Sequence, residues 1–290
     1  MSLPNFNFPG GDWTTELMRR SLAEDIGSGD ATTMITTNDD AEIEARIVAR
    51  QPGVLAGLPL TKILFGQLDP TIEVTGYVVD GQTVQPGNEI ALLKGKAAAI
   101  LTGERTLLNF MQHLSGIATL TAQYVQQLKG TDCKVLDTRK TLPGYRHLAK
   151  YAVRCGGGHN HRMGLYDRIM LKDNHWATAD GRVEQLVARG RQDFPQLAIE
   201  VEVDSLAQLQ QVLPLQVEWI MLDNFSFSDT EKAVGMRDTA GSNTLLESSG
   251  NVTLETIGRY AQAGVDAASV GRLTHSVPAL DLGLDMDQRG

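Results

Sequence analysis

Residues 197–223 read LAIEVEVDSLAQLQQVLPLQVEWIMLD, and the fold class can be inferred from their pattern. Two short apolar segments, LAIEVEVD and VEWIMLD, flank the amphipathic segment SLAQLQQVL, whose apolar residues recur at helical spacing. A strand, a helix and a second strand in this order are typical of a βαβ unit, in which the two strands are parallel. The stretch therefore predicts an α/β protein with a parallel sheet.

The same alternation of strand and helix continues on both sides of this unit. Further strands are predicted at CKVLDT (133–138), RIMLK (168–172), TLLES (244–248) and VDAASVG (265–271), with helices at RVEQLVARGRQDF (182–194) and TLETIGRYAQAG (253–264). The pattern thus predicts six parallel strands separated by helices.

The first part of the chain has a different pattern. EIEARIVARQ (42–51) alternates as a half-buried strand, and turn dipeptides at Asp80-Gly81 and Pro86-Gly87 separate further short strands. Asp12 is predicted to cap a helix, and apolar spacing predicts a long helix over 97–128. We therefore expect an N-terminal domain with a linking helix over 1–115, an α/β barrel with the active site over 116–272, and a tail over 273–290 that the pattern does not place.

Polar or glycyl residues end each predicted parallel strand. In α/β barrels the C-terminal ends of the strands form the mouth where ligands bind, so these residues are expected to converge in space. The strand ends are residues 137–139, Lys172, Glu202 with Asp204, Asp223, residues 248–250 and residues 269–271. Glu202 and Asp204 point the same way along their strand, and the sequence does not choose between them.

Residues 137–175 concentrate positive charge in an acidic protein. They contain eight Lys/Arg and three Asp, while the rest of the chain has 18 basic and 32 acidic residues. Arg can hold a carboxylate or phosphate with two parallel hydrogen bonds, and Lys adds a compact charge. A cationic site in a negative protein suits a small polyanion, whereas the surrounding field disfavours nucleic acid or an anionic membrane.

The cysteine content and the distribution of apolar residues indicate the cellular compartment. The two cysteines, Cys133 and Cys155, cannot form a disulfide framework, no window approaches a bilayer-spanning apolar run, and the first residues do not resemble a signal segment. We expect a cytoplasmic protein without a membrane role.

Several ordered motifs resemble those of the quinolinate phosphoribosyltransferase family. They are DTRKT (137–141), GGGHNHRMGL (156–165), IMLKDNH (169–175), EVEVD (200–204), IMLDN (220–224), LESSG (246–250) and SVG (269–271). The resemblance implies an incomplete parallel α/β barrel of seven strands with an additional N-terminal α/β sandwich domain. It also implies decarboxylating transfer of phosphoribose from phosphoribosyl pyrophosphate to quinolinate, in de novo NAD biosynthesis.

The resemblance further implies a homodimer, with higher assembly left open, in which Arg105 reaches the neighbour's site. Quinolinate would be bound by cations, a histidine and a threonine, namely Arg105, Arg139, Lys140, Arg162, Lys172, His161 and Thr138. Lys140, Glu202 and Asp223 would be catalytic, and the two acids would also bind ribose and Mg²⁺, directly or through water. Small residues at the last two strand ends would bind the 5-phosphate, namely Ser248, Ser249, Gly250, Ser269, Val270 and Gly271.

Simpler interpretations compete with some of these assignments. Arg146, Lys150 and Arg154, spaced along a predicted helix, are expected to be solvated surface charges. Cys155, His159 and His161 lack the spacing of a zinc site and have cationic neighbours.

Two other functions remain open. A related enzyme with another acceptor such as nicotinate, or a non-catalytic binder of small anions, would use a similar pocket. Glu202 and Asp223 favour an enzyme over a binder, because acids oppose anion affinity.

Overall fold

The structure, a computed structural model, describes residues 7–38, 40–178 and 182–286, without the side chains of residues 177 and 178. The chain forms two compact units. The first comprises Met1–Ala122, His147–Gly157 and Ser276–Gly290, and the second comprises Gln123–Arg146 and Gly158–His275. Both units are therefore assembled from separated segments of the chain.

The first unit contains an antiparallel sheet and several helices. In chain order its elements are α1 (Asp12–Ile26), α2 (Ala31–Thr36), β1 (Glu42–Ala49), β2 (Gly53–Val54), α3 (Leu60–Leu68), β3 (Glu73–Gly76), β4 (Thr83–Val84), β5 (Glu89–Lys96) and most of α4 (Ala97–Gln127). Most of α5 (Arg146–Cys155) and β12 (Leu282–Met286) also belong to this unit. The main sheet has the order β12-β1-β5-β3, and β2 pairs with β4.

The C-terminal segment, which the sequence pattern left unplaced, becomes an edge strand of this sheet. β12 pairs antiparallel with β1, with Ile47 opposite Leu284. The segment before it lies against α4, where Leu280 N–H donates to the Gln112 carbonyl at 2.9 Å. Gly116 permits this approach, since a Cβ there would collide with the Pro278 carbonyl oxygen.

The second unit is built on a six-stranded parallel sheet with the order β6-β11-β10-β9-β8-β7. Its strands are β6 (Lys134–Leu136), β7 (Ile169–Leu171), β8 (Ile199–Val203), β9 (Trp219–Asp223), β10 (Leu245–Ser249) and β11 (Ala267–Ser269). Its remaining helices are α6 (Asp173–Thr178), α7 (Val183–Asp193), α8 (Leu206–Val212), α9 (Phe227–Thr239), α10 (Leu254–Gln262) and α11 (Arg272–His275). The predicted α/β class, with a parallel sheet and a separate N-terminal domain, is confirmed.

The parallel sheet is open. β6 and β7 stand at its two edges, and within the described residues they do not pair with each other. His159 forms one isolated parallel bridge to Leu136 beside β6. Within the described residues the parallel sheet thus has six strands, without the seventh strand that the resemblance implies.

Helix starts follow local capping chemistry. The side chains of Asp30, Ser205 and Ser226 accept backbone N–H groups at the starts of α2, α8 and α9. The predicted cap at Asp12 is wrong, because Gly11 occupies the N-cap and Asp12 is the first helical residue. Asp12 still favours the helix there, since an acid in the first turn interacts well with the helix dipole. None of the described helices has both the length and the apolar character of a membrane span.

Candidate active site

A cavity of about 510 Å³ lies at the C-terminal ends of the parallel strands in the second unit. Strand register explains how distant residues meet there. Glu202 on β8 is level with Met221 on β9, and Met221 is level with Glu247 on β10. Two residues further along, Asp223 is level with Ser249. Because side chains alternate between the faces of a sheet, both levels face the same side.

Eleven of the fifteen predicted site residues line this cavity. They are Thr138, Arg139, Lys140, His161, Arg162, Lys172, Glu202, Asp223, Ser249, Gly250 and Ser269. The remaining four are placed differently. Ser248 and Val270 are buried with 2% and 1% exposure and are not among the lining residues, so only their backbone groups remain candidates for phosphate binding.

Gly271 and Arg105 also lie outside the cavity lining. Gly271 lies directly behind Lys140, since a Cβ at Gly271 would come within 2.9 Å of the Lys140 Cδ. Arg105 lies on α4 in the first unit, where 61% of its side chain is exposed and its Nη2 is 3.8 Å from Glu104 Oε1.

Hydrogen bonds within residues 137–168 fix the segments that carry the cavity's arginines. Asp137 accepts the His161 N–H at 2.9 Å, and Asp167 accepts the Met163 N–H at 2.6 Å. The Arg146 guanidinium bridges the two segments, donating to the Met163 carbonyl at 3.1 Å and to the Arg139 carbonyl at 3.3 Å. These contacts hold the backbone beside Arg139 and Arg162.

This bonding corrects part of the interpretation of the three basic residues on α5. Arg154 is exposed, as predicted for a surface charge. Arg146 is half-buried and holds two loop carbonyls, and Lys150 is 1% exposed, so neither is a solvated surface charge. Helical spacing alone could not show this, because the surroundings of a helix face depend on the tertiary fold.

Arg162 is the most desolvated of the cavity's arginines and lysines, with 9% exposure. Its Nη1 donates to the Arg168 carbonyl at 3.3 Å. Burial lowers the pKa of its guanidinium, and the neighbouring charge of Arg139 lowers it further. An arginine stays protonated even so. The positive charges around Arg162 therefore repel one another, and a bound anion would relieve this repulsion.

The acids of the cavity are held by neighbouring side chains. Glu202 Oε2 pairs with the Lys172 Nζ, and Asp223 Oδ2 accepts from the Asn224 side-chain amide at 2.8 Å. Asp204 is exposed and is not part of the cavity lining. The structure therefore places Glu202, and not Asp204, in the cavity.

Gly250 shapes the small-residue side of the cavity. It has φ of 91°, which favours glycine, and a Cβ there would collide with the Asn224 side-chain oxygen. Asn224 N–H in turn donates to the Ser249 carbonyl at 2.9 Å. This close backbone packing leaves the Ser249 and Ser269 side chains at the cavity wall.

Five lining residues were missed from the sequence: Met170, Met221, Asn224, Glu247 and Asn251. Three of them had a usable signal, because Met170, Met221 and Glu247 each lie two residues before a predicted site residue and so share its face of the strand. Asn224 and Asn251 directly follow strand-end residues and adopt positive φ of 56° and 49°.

A buried polar cluster adjoins the cavity, and two of its members, His161 and Glu247, also line the cavity. His161 Nε2 is 2.9 Å from Glu200 Oε2 and 3.6 Å from Glu247 Oε2. Arg168 Nη1 lies 3.2 Å from the same Glu200 oxygen, and the Arg168 guanidinium stacks on the Trp219 ring at 5.3 Å. Both glutamates have no exposed surface. The cluster links β8 and β10 to the loop that carries Arg162.

A parallel α/β sheet with cations and acids gathered at its strand ends defines the class of α/β proteins whose strand-end pocket suits a small anionic ligand. Residues 30–115 match the family model of the quinolinate phosphoribosyl transferase N-terminal domain, and residues 117–285 match that of the C-terminal domain. The chain belongs to the quinolinate phosphoribosyl transferase family.

Individual relatives agree with this membership. A nicotinate-nucleotide pyrophosphorylase (carboxylating) from Mycobacterium leprae is 46% identical over 281 residues, covering 95% of this chain and 98% of the relative. A mitochondrial quinolinate phosphoribosyltransferase (decarboxylating) from Nicotiana tabacum is 40% identical, covering 94% of this chain and 82% of the relative. The solved nicotinate-nucleotide pyrophosphorylase from Francisella tularensis superposes with a TM-score of 0.91 at 39% identity, covering 99% of this chain and 100% of that chain.

Proposed function

We propose that this chain converts quinolinate and phosphoribosyl pyrophosphate into nicotinate mononucleotide, pyrophosphate and carbon dioxide, in de novo NAD biosynthesis. It is a transferase acting on a pentose. One observation carries the proposal: Arg139, Lys140, Arg162 and Lys172 line the same cavity as Glu202 and Asp223. The four cations match a planar dianion, and the two acids match the sugar that receives the attack.

The arrangement supports catalysis by positioning and electrostatics. The cations neutralise the two quinolinate carboxylates and direct the ring nitrogen toward the anomeric carbon of the ribose. The nitrogen forms the new C–N bond as the C–O bond to pyrophosphate breaks, and positive charge grows on the sugar. Glu202 and Asp223 stabilise that charge, while Lys140 and its neighbours help to retain the pyrophosphate.

Decarboxylation follows from the product of this transfer. Once the ring nitrogen is quaternised, its positive charge stabilises the electron pair left on the adjacent carbon when carbon dioxide departs. That carbon then takes up a proton. The protein need only avoid stabilising the departing carboxylate more than the transition state.

The remaining substrate groups match the rest of the cavity. We assign the 5-phosphate to the small-residue side, where Ser249, Gly250 and Ser269 leave room for an anion near the backbone. Ser248, Val270 and Gly271 contribute through their backbone groups alone.

We also propose Mg²⁺ as the cofactor. Glu202 and Asp223 are hard oxygen donors in one cavity, which fits a hydrated Mg²⁺. Because Lys172 already pairs with Glu202, contact through water fits better than direct coordination. When bound, the ion would neutralise charge developing on the pyrophosphate leaving group.

The function is tested by the fate of a labelled carboxyl group. We expect release of labelled carbon dioxide from quinolinate labelled in its 2-carboxyl group, and only when phosphoribosyl pyrophosphate is present. Binding of quinolinate without release would indicate an anion-binding protein. Transfer to nicotinate in preference to quinolinate would indicate a related enzyme with another acceptor.

Removal of Mg²⁺ should abolish turnover. We expect a chelator to stop carbon dioxide release, and added Mg²⁺ to restore it. Asp223→Ala should need a higher Mg²⁺ concentration for half-maximal rate, by about tenfold, as expected for loss of a carboxylate near the ion. Titrating Mg²⁺ in the wild type, in Asp223→Ala and in a control at the exposed Asp204 measures the difference. An unchanged Mg²⁺ requirement in Asp223→Ala would contradict the assignment.

We propose a homodimer in which Arg105 completes the partner's site. An arginine with 61% of its side chain exposed is available for such a contact.

We further propose a cytoplasmic location. Cys133 and Cys155 are buried free thiols, which suits a reducing compartment. The formal net charge of −9 disfavours nucleic acid and anionic membranes as partners.

A further inference from the structure

Glu247 is a buried acid for which the proposed mechanism has no role. It has no exposed surface, and its carboxyl group faces Glu200, Ser269 and His161, whose Nε2 lies 3.6 Å from Glu247 Oε2. Burying an ionised carboxylate without a cation to compensate its charge is strongly unfavourable, so proteins avoid this state. The groups around Glu247 therefore decide its protonation state.

The hydrogen bond at His161 Nδ1 determines the charge of the cluster. Arg162 N–H donates to His161 Nδ1 at 2.8 Å, so Nδ1 is an acceptor and carries no proton. The ring proton must then sit on Nε2, which faces Glu200 Oε2 at 2.9 Å. A doubly protonated imidazolium has no acceptor nitrogen, so His161 is neutral in this arrangement.

With a neutral His161, the cluster can compensate one negative charge. The charged or polar groups facing Glu247 are Glu200 from β8, His161 and Arg168 from the adjoining loop, and Ser269 from β11. Arg168 is the cation among them, and its Nη1 contacts Glu200 at 3.2 Å. A second carboxylate charge in the same buried space would be uncompensated.

The pKa direction of Glu247 agrees with this charge count. Burial raises the pKa of Glu247 well above its ordinary value, and the Glu200 charge raises it further, against weaker opposing effects of Ser269 and Arg168. At Glu200, the Arg168 Nη1 lies 3.2 Å from Oε2, and a cation at that distance favours the charged form of the acid. The surroundings thus favour a neutral Glu247 beside a charged Glu200, as expected for two carboxyl groups that share one site.

We propose that Glu247 is a neutral carboxylic acid in the folded protein, and that Glu200 and Glu247 together hold His161 as the uncharged Nε2–H tautomer. Glu247 and Glu200 are thereby positioning residues. They fix the imidazole ring whose Nδ1 holds the Arg162 backbone, and so fix the base of the Arg162 side chain. If the proposed function holds, arginine and lysine alone supply the positive charge around quinolinate.

A metal ion is the competing occupant of this cluster. One ligand atom from each of His161, Glu200 and Glu247 lies within 4.8 Å of the others. However, the Arg168 guanidinium contacts the same Glu200 oxygen that faces His161 Nε2, and a cation there repels a metal ion. Protonation of Glu247 removes the second negative charge of the cluster, so no second cation is needed.

The pH dependence of stability tests the proposal. An unfolded glutamate ionises above about pH 4.3, whereas Glu247 stays protonated in the fold, so wild-type stability falls as pH rises toward the folded pKa. Glu247→Gln keeps the neutral shape and removes this loss. We expect its Tm to exceed the wild-type Tm by about 3 °C or more at pH 8, with the gap shrinking toward pH 5.

Glu200→Gln is the matched control. It removes the one charge that Arg168 and His161 both contact, so its Tm should fall below wild type at pH 8. The proposal is overturned if Glu247→Gln loses stability as Glu200→Gln does. A copurifying divalent ion that disappears in Glu247→Gln would also overturn it.

Infrared spectroscopy tests the wild type directly and does not depend on how the variants fold. A protonated carboxylic acid has its own carbonyl stretch, separate from that of a carboxylate. We expect this band to persist at about pH 8, well above the range in which ordinary glutamates titrate, and to vanish in Glu247→Gln. Absence of the band from the wild type at that pH refutes the proposal. Neither measurement needs turnover, so failure here would leave the proposed function standing.

Discussion

Replacing Arg162 with alanine is expected to reduce kcat/KM for quinolinate by about 10²- to 10³-fold, or about 3–4 kcal/mol of binding and transition-state energy. The physical reason is desolvation. Arg162 is 9% exposed in the cavity, where burial and Arg139 already lower its guanidinium pKa. A charge in that state interacts strongly with a dianion, because little water screens it. Equilibrium quinolinate binding and steady-state kinetics would measure the loss.

Two other variants calibrate this result. Lys172→Ala should behave similarly, since its ammonium lines the same cavity. Arg189→Ala removes the same charge from α7, where 80% of the Arg189 side chain is exposed and its ion pair joins Asp193 on the same helix. That control should stay near wild type, because exposed ion pairs contribute little. Near-wild-type kinetics in both Arg162→Ala and Lys172→Ala would refute the role assigned to the cations.

The Arg162→Ala variant also tests whether Arg105 is shared between protomers. Arg105→Ala and Arg162→Ala proteins, each nearly inactive, should regain activity when mixed and allowed to exchange subunits. In a mixed dimer one site has both arginines, so about one quarter of wild-type activity is expected from random exchange in a two-fold dimer. No recovery, with exchange demonstrated, would mean that Arg105 does not complete its partner's site.

Glu202→Ala is expected to slow sugar transfer by about 10²- to 10³-fold while leaving quinolinate affinity nearly unchanged. Glu202 lines the cavity, where it can stabilise positive charge on the ribose, and that charge exists only during transfer. The substitution also releases Lys172 from its acid partner, which favours anion binding. The transfer rate should therefore fall, while the quinolinate affinity should stay the same or rise slightly. Single-turnover rates and equilibrium binding separate them.

Asp204→Ala is the control directly after the same strand. Asp204 is an acid two residues further along, yet it is exposed and outside the cavity lining. Its removal should change neither the rate nor the affinity. Loss of quinolinate binding alone in Glu202→Ala, with transfer intact, would count against the role proposed for Glu202.

The strand pattern was predictable from local sequence because parallel strands, buried on both faces, read as short apolar runs. All six predicted strands are present, at residues 134–136, 169–171, 199–203, 219–223, 245–249 and 267–269. Their polar ends were also predictable, since barrel geometry gathers strand ends at one mouth. The choice between Glu202 and Asp204 was not predictable, because period-two alternation places both residues on the same face of the strand.

Other features depend on contacts far apart in sequence. β12 pairs with β1, so the fold places Leu284 opposite Ile47 although nothing in the local pattern of either segment specifies the other. Lys150 lies on a helix whose spacing suggests a surface charge, and the surrounding structure buries it. Local periodicity identifies the faces of an element but does not identify what covers each face.

The chain's own residues thus determined the α/β class, the positions of the strands and the concentration of cations in residues 137–175. The tertiary structure alone decided the level of each strand against its neighbours, which brings Glu202, Met221 and Glu247 side by side. It also decided that Glu200 and Glu247 share one buried space with His161. Hydrophobic periodicity acts over a few residues, whereas strand register and the charge of a buried cluster depend on groups that only the folded chain brings together.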